Sequence, residues 1–218
     1  MATSSTSSSQ QPIFSYQIEN VQVADLTFRL CMIKDLDEAL DHYIRTSPAD
    51  TDMIPYFTRL WESAQALARC LADAPALCRS KRVLELGCGL GLPAMTAAKL
   101  GAASITASDF HPDNEAFFLN NARLNGLDGI AYHRLDWRQP DLPRPFDLVI
   151  GSDLIYEKQM IAPLASCAWQ LCAPGGTFIL ADPGRSNLQQ AASAIEQQGF
   201  SMDIRAAGSI FLLFFTRQ

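Results

Sequence analysis

The stretch Val83-Leu-Glu-Leu-Gly-Cys-Gly-Leu-Gly-Leu-Pro93 decides how the rest of the chain is read. An apolar run, Val83 to Leu86, gives way to three alternate glycines, Gly87, Gly89 and Gly91, and Pro93 then suits the first turn of a helix. Glycines at such a turn let the backbone pass close to a ligand, and the helix start offers free amide groups. The spacing Gly-x-Gly-x-Gly departs from the dinucleotide fingerprint G-x-G-x-x-G. An acid, Glu85, stands two residues before the first glycine and suits a cationic ligand better than a pyrophosphate.

Downstream of this stretch, short apolar runs alternate with helical patterns. Runs at 82–86, 104–108, 130–135, 146–150, 177–181, 201–204 and 210–215 predict seven strands. Helices are expected at 93–100, 112–125, 157–171 and 187–198, three of them closed by Gly101, Gly126 and Gly199. The alternation predicts an α/β fold with a doubly wound, Rossmann-like, mostly parallel sheet. The last two runs are joined by only Ala206-Ala-Gly-Ser209, too short for a parallel crossover, so the last strand is expected to be antiparallel.

Upstream, the apolar set Phe57, Leu60, Trp61, Ala64, Leu67, Ala68 and Leu71 recurs at three- and four-residue spacing and predicts an amphipathic helix beginning at Pro55. Residues 13–33 alternate partially and predict an N-terminal β-hairpin of two or three strands, followed by a helical turn at 35–43 and a breaker at Ser47-Pro48. Residues 2–11 are Ser, Thr, Gln and Ala, with too little to bury to offset the entropy of order, and read as a disordered tail. The expected organisation is a tail over 1–11, a hairpin and cap segment over 12–54, and one domain over 55–218.

Composition narrows the function. At roughly 100–200 residues per domain, 218 residues allow one large domain or two small ones. Seventeen basic against 23 acidic residues leave a net charge of −6 without any Lys/Arg run, which disfavours nucleic acid as a partner. Six cysteines form no C-x-x-C pair, and with three histidines no zinc-ligand spacing arises, so no metal is expected and the thiols read as reduced. The N-terminus lacks a basic and an apolar signal region, and no stretch approaches 18 uncharged apolar residues; the expected location is the cytoplasm, away from membranes.

Three further features carry chemistry. Asp109 ends the second strand, where a carboxylate can accept both hydroxyls of a ribose. Leu135-Asp136-Trp137 ends the third, where a carboxylate could take an adenine amino group and an indole flank the ring. Ligands of open α/β sheets sit beyond the carboxyl ends of the strands, so these features should meet the glycine turn in one crevice. After the fourth strand comes Ser152-Asp153-Leu-Ile-Tyr156, and after the fifth Pro183-Gly-Arg185, which could reach the mouth of that crevice as a substrate contact.

Together, Glu85-Leu-Gly-Cys-Gly-Leu-Gly91, Asp109, Leu135-Asp-Trp137 and Ser152-Asp-Leu-Ile-Tyr156 resemble the S-adenosylmethionine-dependent class I methyltransferases, most closely the seven-β-strand protein lysine methyltransferases called methyltransferase family 16. The resemblance covers about residues 55–218. It implies S-adenosylmethionine as cofactor, with Gly87, Cys88 and Gly89 at its methionine part, Asp109 at the ribose, and Asp136 and Trp137 at the adenine. It also implies that Glu85 and Ser152 belong to the cofactor site, and that Trp61 in Leu60-Trp-Glu-Ser-Ala64 lies by the cofactor, although Glu62 replaces a more usual small or proline residue. Asp153 and Tyr156 match the family's acid-x-x-aromatic motif, and no Pro-Pro follows the fourth strand as it does in the class I enzymes that modify adenine or glutamine. The implied roles are binding of an incoming ammonium by Asp153 and a wall or hydrogen bond from Tyr156, with a lysine side chain of a protein as acceptor. Three alternatives stay open: methylation of a small amine or a protein N-terminus, an NAD-type oxidoreductase, and a binding module that keeps the pocket without turnover.

Overall fold

The structure, a computed structural model, describes residues 14–46 and 54–218. The expected tail at 1–11 and the breaker at Ser47-Pro48 lie outside the described residues. Among those described, the hairpin consists of β1 (Tyr16–Val23) and β2 (Leu26–Ile33), paired antiparallel around a tight turn in which Ala24 is left-handed (φ 49°). Helices α1 (Leu36–Thr46) and α2 (Glu62–Asp73) follow. The remainder alternates: β3 (Arg82–Leu86), α3 (Leu92–Lys99), β4 (Ser104–Asp109), α4 (Asn114–Leu124), β5 (Ala131–Arg134), β6 (Phe146–Ser152), α5 (Ile161–Leu171), β7 (Cys172–Asp182), α6 (Leu188–Glu196), β8 (Phe200–Ala207) and β9 (Ile210–Arg217). The seven-stranded sheet has the order β5-β4-β3-β6-β7-β9-β8. Only β9 runs against the others, inserted between β7 and β8. The strand order reverses between β3 and β6, so the crevice of a doubly wound sheet opens at their carboxyl ends.

Strand alternation builds two cores. Val83, Leu148, Ile150, Ile179 and Phe214 face one layer with α2, α3 and α4, while Leu84, Leu86, Val149, Phe178 and Phe215 face another with α5 and α6. Both sides of the central strands are thus covered, as parallel pairing requires. Among the described residues, no helix is long and apolar enough to cross a membrane. None of the six cysteines is in a disulfide, and Cys78, Cys88, Cys167 and Cys172 are buried.

Several sequence expectations change in detail. The helix expected from Pro55 is a single 3₁₀ turn (Tyr56–Thr58), then an extended break, then α2; Trp61 is the extended residue before the helix (φ −92°, ψ 148°), not part of it. Three- and four-residue apolar spacing fits this interrupted path as well as a continuous helix, which is why periodicity alone misplaced the start. The turn expected at 35–43 is the eleven-residue α1. β7 begins at Cys172, because an irregularity between the Phe146–Cys172 and Leu148–Thr177 pairs loops out the Pro174-Gly-Gly176 segment before the regular run.

The hairpin is a further layer, outside α2, α3 and α4. Phe28 and Leu30 are fully buried by it, and Lys99 at the end of α3 donates to the Thr27 carbonyl (2.8 Å) with its ammonium over the Phe28 ring (4.4 Å). This explains why Leu92 through Ala97 of α3 are all buried: the helix has the sheet on one side and the hairpin on the other. Two asparagines of the α4 region take the place of a neighbouring strand along β2. Asn121 Oδ1 accepts from the Cys31 amide (2.7 Å) and its Nδ2 donates to the Cys31 carbonyl (3.3 Å), while Asn125 does the same for Arg29 (2.9 and 2.8 Å).

Replacing Asn121, which is fully buried, by alanine leaves the Cys31 amide without a partner and should cost about 1–3 kcal/mol in denaturant unfolding. Amide exchange of Cys31 should accelerate; unchanged exchange with unchanged stability would remove this role from Asn121.

Candidate active site

The carboxyl ends of β3, β4 and β6 and the segment before α2 enclose a cavity of about 300 Å³. Its floor is the turn from Gly87 to Gly91. The turn is fixed from every side: the Cys88 amide donates to Ser108 O (2.8 Å), the Gly91 amide to Cys88 O (2.7 Å), the Gly89 amide to Asp109 Oδ2 (3.1 Å), and Asn114 Nδ2 to Gly89 O (2.9 Å). Gly87 and Gly91 suit this turn as no other residue would, since any side chain would strain it. Both are left-handed (φ 59° and 79°), and a Cβ would lie 2.6 Å from Leu154 Cδ2 at the first and 2.2 Å from Phe118 Cε2 at the second. The backbone is thereby laid along the cavity with no side chain between it and a ligand.

Asp109 is half-buried beside this turn; besides the Gly89 amide it accepts from the His111 amide through Oδ1 (3.1 Å). Burial raises its pKa, and the amide bonds oppose that. Asp136 and Trp137 line the cavity on the next strand end, and Arg138 donates to both Asp136 oxygens (2.8 and 3.0 Å), which lowers the Asp136 pKa. Ser152, Cys88 and Trp61 also line it; Trp61 Nε1 donates to Tyr56 O (3.0 Å), and Cys88 Sγ lies 3.3 Å from Asn114 Oδ1.

Glu85 is the exception among the sequence candidates for the cofactor site. It does not line the cavity: its side chain is buried behind the turn, and Oε2 accepts from the Ala94 amide in the first turn of α3 (2.9 Å). The carboxyl group serves the otherwise unpaired Ala94 amide at the helix start in place of a cationic ligand. Burial pushes its carboxyl well above the usual glutamate range.

Asp153 and Tyr156 lie across the mouth. Asp153 is left-handed (φ 57°), a conformation disfavoured for a side chain and frequent where function constrains the backbone. Its amide donates to Ala181 O at the end of β7 (3.0 Å). Asp153 Oδ1 is paired with Arg185 Nη1 at 2.6 Å; Oδ2 is buried without a hydrogen-bond partner, as is Ser63 Oγ of α2, which faces Asp153 too loosely for a well-formed bond. Burial raises the Asp153 pKa and Arg185 opposes it. Tyr156 is half exposed, and with Tyr56 (centroids 5.6 Å apart) and Trp61 (6.2 Å from Tyr56) it frames the opening in aromatic rings.

The sequence candidates other than Glu85 therefore converge on one cleft. Sequence reasoning missed Tyr56, Phe57, Phe110 and His111, which complete its walls. Asp153 does not cap a following helix, since α5 begins only at Ile161. No hairpin residue lines the cavity; the nearest link is Tyr43 of α1, whose hydroxyl donates to Asp113 (2.7 Å) and whose ring packs on His111.

Residues 49–194 match the model of a family described as lysine methyltransferase. Among similar proteins, the electron transfer flavoprotein beta subunit lysine methyltransferase of Rattus norvegicus is 33% identical over 68% of this chain and 57% of its own length. A protein-lysine N-methyltransferase, EFM3, of Chaetomium thermophilum is 31% identical over 66% of this chain and 48% of its own. The chain spans about half the length of these curated relatives. Among solved structures, the 16S rRNA N2 G1207 methyltransferase of T. thermophilus, in complex with AdoMet and guanosine, superposes with a TM-score of 0.71 at 14% identity, over 95% of this chain and 52% of that one, a likeness of fold.

Folded protein holds the Glu85 proton to higher pH than the unfolded chain does, so this group's contribution to stability is present below the ordinary glutamate range and is lost as pH rises above it. Glu85→Gln keeps an acceptor for the Ala94 amide and removes the titration. Urea unfolding at pH 5 and pH 8 should show a smaller loss of stability with pH in the variant; equal losses would mean that Glu85 is not a buried titrating group.

Proposed function

We propose, because the chain belongs to the lysine methyltransferase family and its cleft joins a glycine-laid floor to a buried acid, that it N-methylates lysine side chains of a protein. The reading is carried by one observation: Asp153, in a strained conformation, stands behind a frame of aromatic rings at the open end of a cavity whose floor is bare backbone. The cleft suits S-adenosylmethionine. Gly87, Cys88 and Gly89 would lie along its methionine part, Asp109 would accept from the ribose hydroxyls, and Asp136 and Trp137 would meet the adenine, with Ser152 and Trp61 closing the sides. When bound, this cofactor supplies an electrophilic methyl group on a sulfonium.

The protein's own work is positioning and desolvation. A lysine reaches the mouth as an ammonium and must release one proton, to water at the open mouth, so that a neutral nitrogen attacks the methyl and displaces the sulfonium as a thioether. Asp153 accepts the ammonium and orients it, and the rings of Tyr56, Trp61 and Tyr156 hold the alkyl chain and favour a cation at their faces. The Tyr56 and Tyr156 rings give a methylated nitrogen a place to rest after its hydrogen-bond donors are lost, while the Trp61 ring already carries the Arg59 guanidinium, 5.1 Å from its centroid. The net charge of −6 and the absence of any Lys/Arg run support a protein acceptor over a nucleic acid. α1, through Tyr43 against His111, is the route by which the hairpin segment would influence which protein docks. A small amine or protein N-terminus is the second reading, since Asp153 would bind those cations equally well.

Purified protein given methyl-labelled S-adenosylmethionine and a cell lysate, then fractionated into protein, RNA and small molecules, should label one protein band at lysine. Asp153→Asn should lower the rate on the order of 10²–10³-fold with cofactor affinity kept. Label confined to RNA or small molecules would overturn the reading. The rate should also fall on acidification at a pH above the ordinary aspartate range, since burial raises the Asp153 pKa and its charged form binds the ammonium.

A further inference from the structure

The groups that Asp153 meets are themselves held in an unusual way. Asp182, the last residue of β7, is fully buried, and its Oδ1 accepts from the amides of Gly184 and Arg185, both at 2.8 Å. That turn is tight: Gly184 is left-handed (φ 89°), and a Cβ there would lie 2.9 Å from Phe211 Cε2. Asp182 Oδ2 takes Arg185 Nη1 at 2.8 Å, and the same nitrogen bridges to Asp153 Oδ1 at 2.6 Å. One guanidinium, 27% exposed at the cavity wall, thus spans two carboxylates on adjacent strand ends.

The two oxygens of Asp153 differ in access. Oδ2 is buried against Ser63, so the oxygen that an entering cation can reach is Oδ1, and the guanidinium covers it. Resting on the reading of Asp153 as the acceptor's partner, we infer that Arg185 is an internal cation occupying the acceptor subsite, which an incoming lysine ammonium must displace while Asp182 keeps hold of the arginine. The exchange is between like charges. An ammonium replaces the ion pair it breaks, and the displaced guanidinium retains Asp182; a neutral side chain would leave Asp153 buried with nothing to compensate it. Arg185 therefore sets specificity, admitting cations and rejecting neutral groups of similar shape, and it keeps Asp153 ionised and covered between turnovers. The anchor on Asp182 makes the device reversible, since the guanidinium needs only to swing from one carboxylate to lie on the other alone.

The probe is n-butylammonium, which carries the end of a lysine side chain, titrated by NMR into the full chain saturated with S-adenosylhomocysteine. Arg185→Gln should bind it at least about 10-fold more tightly than the unsubstituted protein. Guanidinium chloride at millimolar concentration should compete in the variant, refilling the subsite, and have little effect in the unsubstituted protein. In the latter, the Arg185 Nε–Hε signal should move on addition of n-butylammonium and stay still with 1-butanol; this measurement stands even if the variant fails to fold. Equal affinity in the two proteins, or an Arg185 signal that ignores n-butylammonium while the probe binds, overturns the inference and leaves the methyltransferase reading intact. No binding to either protein, with S-adenosylhomocysteine still bound, overturns both the inference and the assignment of Asp153 to the acceptor.

Discussion

The hydrogen bond from the Gly89 amide to the Asp109 carboxylate joins the loop after β3 to the end of β4, and the whole cleft takes its position from that bond. With Cys88 bonded to Ser108 and Asn114 to Gly89, the loop is held from both sides, and Leu154 and Phe118 pack directly against the bare backbone of Gly87 and Gly91. A ligand meets a surface organised during folding, so little ordering remains to oppose binding. The same loop sends α3 away at an angle set by Gly91, and Glu85 behind it satisfies the Ala94 amide. Floor and core are therefore one structure.

Acidic residues dominate this region, and each is handled by a different means. Glu85 is removed from solvent and given a helix amide, Asp109 is given two loop amides, Asp136 an arginine at the surface, and Asp153 and Asp182 share one guanidinium. These arrangements separate structural acids from the one that faces the mouth. An isolated buried carboxylate tends to take up a proton; at Asp153 burial pushes that way and the shared arginine opposes it.

Much of this was legible in the sequence because it rests on local patterns. Alternating apolar runs marked all seven strands of the sheet, the four-residue joint before β9 required antiparallel pairing, and the glycine spacing located the floor. The convergence of the glycine turn with Asp109, Asp136 and Trp137 followed from where strand ends lie in such a sheet, whereas Asp153 and Tyr156 were legible through a motif resemblance. What escaped was either short-range geometry without periodicity or long-range pairing. Tyr56 and Phe57 sit on a single 3₁₀ turn, whose apolar spacing imitates a helix. Glu85 reads as a ligand group because nothing local says that its side chain turns back to α3. The bridge from Arg185 to Asp153 joins strand ends that only the folded sheet brings together, and the pairing of Asn121 and Asn125 with β2 is more distant still in the chain.

That last pairing also bears on behaviour in a crowded solution. An outermost strand with idle amides and carbonyls is a template for a second chain, and extended edges of this kind are where sheets of different molecules fuse. In β2 the amide and carbonyl groups of Arg29 and Cys31 are already taken by amide side chains whose shape copies a peptide group, so the ladder is terminated from within. The main sheet ends as guardedly, in the four-residue β5 on one side and, on the other, in β8 with Asp203 and Arg205 paired on its exposed face. On its β2 side, a hairpin appended to an α/β domain is thus carried without adding an adhesive border.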